Sequence, residues 1–332
     1  LMIIGSYGSW FRREVCYRSK KLYDSKASDW EAQLIFEGST YEYGTGIAQG
    51  GIVDTIYGDW YGFLFQDHDG LGRVPSILAV NWDYVDTKNN KYYPDWPMMG
   101  YYDDKGNFVN CLGTSQKVKN PLTIQLNKSD KESYIVGDDD FSYPDFKEGD
   151  SLKKVWQWNH NPDNSRWSLK ERKGHMRLKA SYAESLKTAR NTLTQRVQGP
   201  SSEATVELDV SGLKDGNVAG FGVFEFPYAY VAVEQTNGEK KIVMCNDGQT
   251  IETIDRFEGN KIWIRARVMD VGFRAVFYYS TDGKYFLPIG NELSMGLGLV
   301  WTANRFALFN FSKEKAGEDG YTDFNWFRFT NK

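Results

Sequence analysis

The stretch Gly46–Pro75, GIAQGGIVDTIYGDWYGFLFQDHDGLGRVP, decides how the first part of the chain folds. It predicts two strands, because the β-branched run Ile52–Thr55 and the alternating segment Trp60–Asp67 are separated by a glycine turn. The aromatic residues of the second strand share one face, namely Tyr61, Phe63 and Phe65. Two adjacent strands joined by tight turns indicate an antiparallel sheet.

Polar side chains follow the second of these strands. The strand ends in Gln66, Asp67 and His68, and a glycine-rich loop then leads to Arg73. An amide, a carboxylate, an imidazole and a guanidinium at one strand end suit the floor of a pocket for a polar ligand. The alternative is that the same groups cap the strand ends and pair with the backbone. Composition alone does not separate these two interpretations.

The composition favours an all-β protein. The 332 residues are 16 % aromatic and include 32 glycines, while long periodic helices are absent, so many strands joined by tight turns are expected. The net charge of −4 without a basic stripe argues against nucleic acid as a partner. No apolar run reaches the roughly 18 residues of a membrane span. The cysteines are too far apart for a disulfide framework or a zinc site, at Cys16, Cys111 and Cys245.

The first residues, Leu1–Gly5, are typical of the interior of a buried strand and show no signal-peptide n-region. We therefore expect the natural N-terminus to lie elsewhere, together with any export signal. The sequence does not decide the location, although a secreted or cell-surface location is favoured over a cytoplasmic one.

The chain is predicted to contain two domains. Residues 1–118 hold clusters of short strands, as the blades of a β-propeller would. Residues 119–136 form a polar linker. Residues 137–332 contain about a dozen strands joined by tight turns and predict a jelly-roll β-sandwich. The strongest hairpin signals in this part are Asn237-Gly238, Asp247-Gly248 and Asp282-Gly283.

Three further motifs each have two interpretations. His68 lies between two aspartates that would keep it cationic and able to orient a hydroxyl-rich ligand, or it is a surface loop residue. The run Asp138–Asp140 suggests calcium, but a solvated acidic turn is favoured because the spacing is not that of an EF-hand. The segment Trp156–Pro162 combines aromatic rings and amides, which suits either sugar binding or a buried domain interface, and we favour the interface.

These residues resemble a known family. Gly46–Pro75 is similar to the last propeller blades of glycoside hydrolase family 43, and residues 16–38, CYRSKKLYDSKASDWEAQLIFEG, resemble a segment that precedes them. Residues 156–169, WQWNHNPDNSRWSL, and 321–329, YTDFNWFRF, resemble the concanavalin-like β-sandwich of its β-xylosidase and α-L-arabinofuranosidase branch. The resemblance covers essentially the whole chain. It implies a partial five-bladed β-propeller, the last blades only, followed by the sandwich.

The resemblance also implies an activity, the inverting hydrolysis of terminal β-1,4-xylosyl or α-L-arabinofuranosyl residues from xylan fragments. In the family an aspartate is the general base, a glutamate is the general acid and a further aspartate tunes the acid. These carboxylates belong to the first three blades, so none of the catalytic residues is expected in this chain. We do not assign their roles to Asp54, Asp67 or Asp69. The remaining blades are expected from an N-terminal segment, without which residues 1–118 should not fold stably.

The resemblance implies that the functional residues in this chain are substrate-binding residues. Arg73 matches the family arginine that reaches the innermost sugar, and Gln49, Gln66 and His68 lie on strand ends facing the same axis. In the sandwich, the loop Trp301–Arg305 matches the position that folds over the pocket mouth. Within that loop the candidates for substrate contact, or for domain packing alone, are Asn304 and Arg305.

The expected ligands and partners follow from the same resemblance. The substrate would be a xylo-oligosaccharide or arabinoxylan, and no cofactor is required, with a structural calcium ion as the alternative. Some members place a histidine near a central metal or solvent site where this chain has Ile47, so a metal at that position is undecided. The rival hypothesis is a non-catalytic carbohydrate-binding or scaffold module.

Overall fold

The computed structural model describes residues 2–6 (backbone only), 13–21, 23–38, 46–112, 134–143, 145, 147, 151–269, 273–296 and 302–331. The chain divides into two compact units. The first comprises Leu1–His68 and Arg73–Lys131, and the second comprises Asp69–Gly72 and Glu132–Lys332. The division near residue 131 falls in the predicted linker 119–136, of which residues 119–133 lie outside the described part. Residues 69–72 thus belong to the second unit, whereas the sequence predicts them in the first.

The first unit is built of antiparallel strands. One sheet has the order β1-β2-β3, a second has the order β10-β9-β6-β5-β4, and β7 and β8 form a hairpin. The strands are β1 (Met2–Ser6), β2 (Arg13–Ser19), β3 (Trp30–Glu37), β4 (Ile47–Asp54), β5 (Trp60–Asp67), β6 (Arg73–Asn81), β7 (Tyr84–Asp86), β8 (Lys91–Tyr93), β9 (Met98–Tyr102) and β10 (Phe108–Asn110), with a 3-10 turn at Ala27–Asp29.

The alternation predicted for β5 is present, but the aromatic face is not the buried one. Gly62, Leu64 and Gln66 point into the core, whereas Phe63 retains 50 % of its surface. A Cβ atom at Gly62 would lie 2.8 Å from the sulfur of Met99, so that side chain would have to move to admit a larger residue. The core of this unit is therefore built on the small and aliphatic face of β5.

The second unit consists of two stacked sheets of mainly antiparallel strands. One sheet has the order β11-β15-β25-β17-β18-β19-β20 and the other β12-β13-β26-β16-β21-β22-β23. The strands are β11 (Gln157–Trp158), β12 (Trp167–Ser168), β13 (Met176–Lys179), β14 (Ser181–Tyr182), β15 (Leu193–Arg196), β16 (Ser201–Asp209), β17 (Asn217–Phe224), β18 (Ala229–Thr236), β19 (Glu239–Asn246), β20 (Gln249–Ile254), β21 (Lys261–Met269), β22 (Arg274–Ser280), β23 (Leu287–Pro288), β24 (Leu293–Ser294), β25 (Arg305–Ser312) and β26 (Tyr321–Asn331). Short 3-10 turns lie at Asp69–Leu71, Asn164–Arg166, Leu186–Thr188 and Lys315–Gly317.

The sandwich core follows from period-two patterning. In β21, Ile262 and Ile264 are buried between the sheets, while Trp263 and Arg265 alternate with them on the outer face. β17 is buried on both faces, because a second apolar cluster that includes Tyr228 and Phe309 covers its other side. The predicted all-β class and the predicted sandwich are confirmed. In the described residues no helix is long and apolar enough to cross a membrane.

The two tryptophans of the WQWNHNPD segment serve packing within the second unit. Trp156 is buried, and its ring centre lies 5.6 Å from that of Phe141 and 5.2 Å from that of Phe327. The ring of Trp158 lies 5.5 Å from that of Trp167. Both tryptophans therefore pack against rings inside the sandwich, whereas the sequence favours a domain interface for them.

Candidate functional site

The candidate site lies where β4, β5 and β6 meet at one end of the five-stranded sheet. β4 and β6 both run antiparallel to β5, so each of them begins beside the end of β5. Ile47 is opposite Gln66, and Arg73 is opposite Asp67. This register brings four predicted sugar-binding residues to one end of the sheet, namely Gln49, Gln66, His68 and Arg73.

Arg73 begins β6 and keeps 39 % of its side-chain surface accessible. Its Nε lies 3.4 Å from Oδ1 of the buried Asp67, and its guanidinium carbon lies 4.4 Å from the ring centre of Phe65. The carboxylate and the aromatic face together orient a planar group that carries five N–H donors. A guanidinium held in this way can donate to two neighbouring hydroxyls at once, a geometry that a lysine cannot reproduce.

Gln66 and His68 are both buried at the end of β5. Nε2 of His68 lies 3.3 Å from Oε1 of Gln66, an amide oxygen that favours a proton on that nitrogen. Asp67, one of the two carboxylates that flank His68 in sequence, forms an ion pair with Arg73. The end of β5 and the residue that follows it therefore contribute an amide, a carboxylate and an imidazole in three consecutive residues.

Gln49 lies in a β-bulge and is held by a glutamate that the sequence analysis did not single out. The register between β4 and β5 shifts between Ala48 and Gly51, and Gln49 has a φ of 56°. Its backbone N–H donates to Oε1 of Glu14 at 2.5 Å, and Glu14 is fully buried in β2. A bulge re-aims the side chain it carries. Glu14 lies two residues before the buried Cys16 and therefore on the same, buried face of β2. A charged residue on a buried strand face is the sequence signal that could have identified Glu14.

Asn304 belongs to the second unit, where it holds the short segment Asp69–Gly72. Its backbone N–H donates to the carbonyl oxygen of Gly70 at 2.9 Å, and its Nδ2 donates to the same oxygen at 3.1 Å and to that of Gly296 at 3.3 Å. Asn304 has no exposed surface. Two glycines permit this close approach, since a Cβ at Gly70 would lie 2.6 Å from Met295 and one at Gly72 would lie 2.6 Å from the nitrogen of Ala303.

Arg305 is partly buried in the same unit. Its Nη2 donates to Oδ1 of Asn159 at 2.6 Å, and its guanidinium lies 5.7 Å from the ring centre of Phe224. Burial lowers the pKa of Arg305, while the nearby Glu225 opposes that effect. Trp301, which the sequence analysis placed in the same loop, lies outside the described residues. The substrate contacts predicted for Asn304 and Arg305 stay predictions.

The three aspartates 138–140 have separate partners. Asp139 is buried rather than solvated, and its carboxylate accepts hydrogen bonds from four donors. These donors are the backbone N–H of Phe141, the hydroxyl of Tyr143, Nζ of Lys153 and Nε1 of Trp156. Asp138 and Asp140 accept from the backbone N–H groups of Phe329 and Ser142. The Asp139 carboxylate does not suit calcium, because its oxygens already accept hydrogen bonds from these donors. The described residues also contain no group of three or more His, Cys, Asp or Glu side chains arranged to hold a metal.

Two curated relatives align with most of this chain. One, from Xylanibacter ruminicola, is 32 % identical over 276 residues, which is 81 % of this chain and 45 % of the relative. The beta-xylosidase of Formosa agariphila is 28 % identical over 345 residues, which is 96 % of this chain and 53 % of that protein. The chain therefore spans about half the length of these relatives.

The structure and the sandwich sequence lead to the same family. The solved structure of a bifunctional GH43-CE protein from Bacteroides eggerthii is 33 % identical and matches with a TM-score of 0.78, covering 100 % of this chain and 39 % of that one. Residues 144–330 match the family described as the beta xylosidase C-terminal concanavalin A-like domain. That range contains β11 to β25 and all but the last residue of β26. The chain belongs to glycoside hydrolase family 43, in the group that carries this C-terminal concanavalin A-like domain.

Proposed function

We propose that the protein takes part in the hydrolysis of terminal β-1,4-xylosyl or α-L-arabinofuranosyl residues of xylan-derived oligosaccharides. The observation that carries the proposal is the Arg73 guanidinium, held by Asp67 and Phe65 at the polar end of β4, β5 and β6. Family membership and the beta-xylosidase of Formosa agariphila support the choice of pentosides. A xylo-oligosaccharide or arabinoxylan is the corresponding substrate.

In this proposal the chain holds the sugar. Arg73 donates to vicinal hydroxyls of the terminal residue, and the amide and imidazole of Gln66 and His68 supply further donors and acceptors around it. Gln49 lies in its bulge at the same end of the sheet. Neutral hydroxyl groups suit this set because each can both donate and accept a hydrogen bond.

The two sheets of the first unit are proposed to be the last blades of a five-bladed propeller. The general base, the general acid and the aspartate that tunes the acid are proposed to precede residue 1. Inversion would need the acid and base carboxylates about 6.5–9.5 Å apart, so that a water molecule can attack between them. The chain's match to only about half of its curated relatives supports this division. A secreted or cell-surface location is part of the same proposal.

The test uses the intact protein with 4-nitrophenyl β-D-xyloside and 4-nitrophenyl α-L-arabinofuranoside, after its mass has been determined. Release of nitrophenol from either glycoside is expected, and the ratio of the two rates identifies the preferred pentose. If a preparation whose mass includes all five blades turns over neither compound, the hydrolase proposal is wrong and the non-catalytic carbohydrate-binding module is favoured.

A further inference from the structure

The two lateral edges of the sandwich are built differently. At one edge, Trp158 of β11 and Trp167 of β12 place their rings 5.5 Å apart and close the gap between the two sheets. At the other edge, where β20 and β23 are the outermost strands, the gap is a cleft of about 440 Å³. That volume falls in the range of about 300–1,000 Å³ typical of small-molecule sites.

The floor of the cleft is apolar and one wall carries an exposed aromatic ring. Ile242, Ile254 and Tyr279 line the floor, where the sandwich core reaches the edge. Tyr285 lines the wall with 78 % of its surface exposed. An aromatic ring with this exposure offers a face for stacking on the C–H groups of a sugar ring.

Tyr285 is presented by a rigid turn. Oδ1 of Asp282 accepts hydrogen bonds from the backbone N–H groups of Lys284 and Tyr285, at 2.8 and 3.0 Å, and from the hydroxyl of Ser280. These bonds fix the backbone that carries the ring before any ligand arrives. Pre-ordering of this kind reduces the entropy cost of binding.

The opposite wall carries charged side chains that the fold does not use. Within the described part of the chain, no hydrogen bond or ion pair engages the side chains of Arg256 or Glu258. The loop that bears them is anchored by other groups, because the N–H of Phe257 donates to the carbonyl of Lys240 at 2.8 Å and Nζ of Lys240 donates to that of Gly259 at 2.7 Å. The third charged residue of the lining, Asp282, is already engaged by the backbone of the turn, so Arg256 and Glu258 are the charged groups left to meet a ligand. A donor and an acceptor beside an aromatic ring suit a neutral, hydroxyl-rich ligand.

We propose that this cleft is a second carbohydrate site, separate from the one that contains Arg73, and that it binds one or two pyranose units of a xylan chain. Tyr285 stacks on a sugar ring, and Arg256 and Glu258 form hydrogen bonds with its hydroxyls. The choice of xylan rests on the proposed function, whereas the choice of a neutral sugar rests on the cleft itself. Binding here would retain the protein on a polymer whose chain ends it cuts.

The test is native affinity electrophoresis of the intact protein through gels that contain soluble arabinoxylan. A hydrolase that acts on chain ends leaves the polymer essentially intact during the run. Tyr285→Ala and Glu258→Gln remove the stacking ring and one hydrogen-bonding charge. Tyr182→Ala is the matched control, since Tyr182 is an exposed tyrosine of the same unit that does not line the cleft. Turnover of 4-nitrophenyl β-D-xyloside is measured on the same samples.

Arabinoxylan should retard the unsubstituted protein and the Tyr182→Ala variant equally. Tyr285→Ala should raise the dissociation constant obtained from the gel series at least about tenfold, and Glu258→Gln should raise it by a smaller factor. Both variants should turn over 4-nitrophenyl β-D-xyloside within about twofold of the rate of the unsubstituted protein. Absence of retardation in the unsubstituted protein, or equal retardation of Tyr285→Ala, would overturn the inference. Loss of retardation in Tyr285→Ala by a protein that cleaves no nitrophenyl glycoside would support the cleft and refute the proposed hydrolase function.

Discussion

Oδ1 of Asp67 lies 3.4 Å from Nε of Arg73, and this pair joins the last residue of β5 to the first residue of β6. Asp67 is buried, whereas Arg73 retains accessible surface. Because the buried carboxylate already fixes the direction of the guanidinium, Arg73 loses little further conformational entropy when it binds a ligand. The proposed sugar-holding role of this chain depends mainly on that pair.

Arg73→Lys should reduce the kcat/KM of the intact protein for 4-nitrophenyl β-D-xyloside by about tenfold to a hundredfold. The lysine keeps a positive charge near Asp67 but loses the planar fork, which removes a charged hydrogen bond of about 1.5–3 kcal/mol. Arg13→Lys is the control, because Arg13 also pairs with a buried carboxylate, that of Glu37 at 2.8 Å, outside the candidate site. Equal activities for the two variants would remove Arg73 from the pocket.

Asn304→Ala should destabilise the second unit by about 1–3 kcal/mol, because two carbonyl oxygens lose the donor Nδ2 in a buried place. The midpoint of urea denaturation measures this effect. The exposed residue Asn331 provides the control substitution Asn331→Ala, which should leave the midpoint unchanged. Unchanged stability combined with a raised KM would instead indicate that Asn304 contacts the substrate.

Gly72→Ala should lower the melting temperature of the second unit more than Gly174→Ala does. Both glycines have left-handed backbones, with φ of +73° and +70°, so each substitution costs about 1–2 kcal/mol of backbone strain. A Cβ at Gly72 would also lie 2.6 Å from the nitrogen of Ala303, whereas nothing lies within 4 Å of one at Gly174. Equal shifts in differential scanning fluorimetry would mean that the close approach at Gly72 relaxes without cost.

The first unit should lose stability at high pH through Cys111. Burial raises the pKa of the Cys111 thiol from 9.0 to about 12, so the folded state keeps a proton that the unfolded state releases. The contribution is fully present below pH 9 and is lost as the pH rises from about 9 towards 12. Urea unfolding of Cys111→Ala between pH 8 and 11 should show a flatter pH dependence. An unchanged slope would indicate that other groups govern the alkaline loss.

The strands and hairpin turns followed from local sequence. The prediction for Trp60–Asp67 coincides with β5. Period-two patterning identifies such strands because one face is more buried than the other. The hairpin signal Asn237-Gly238 was also correct, since both residues adopt positive φ between β18 and β19.

The remaining features depend on partners distant in sequence. Gly70 meets the side chain of Asn304 across 234 residues, which explains why Asp69–Gly72 belong to the second unit. The backbone of Gln49 is held by Glu14, 35 residues earlier, at a bulge through which β4 continues back to Ile47. Neither contact can be predicted from the local pattern of apolar and polar residues. Such residues are identified only when the strands that carry them are placed side by side.

The most direct test of the central claim is the anomeric form of the first product, followed by proton NMR while the intact protein cleaves 4-nitrophenyl β-D-xyloside. Inversion predicts that the α-anomer of xylose appears first and the β-anomer only later, by mutarotation. Initial release of the β-anomer, or no cleavage by protein of confirmed full mass, would contradict the account.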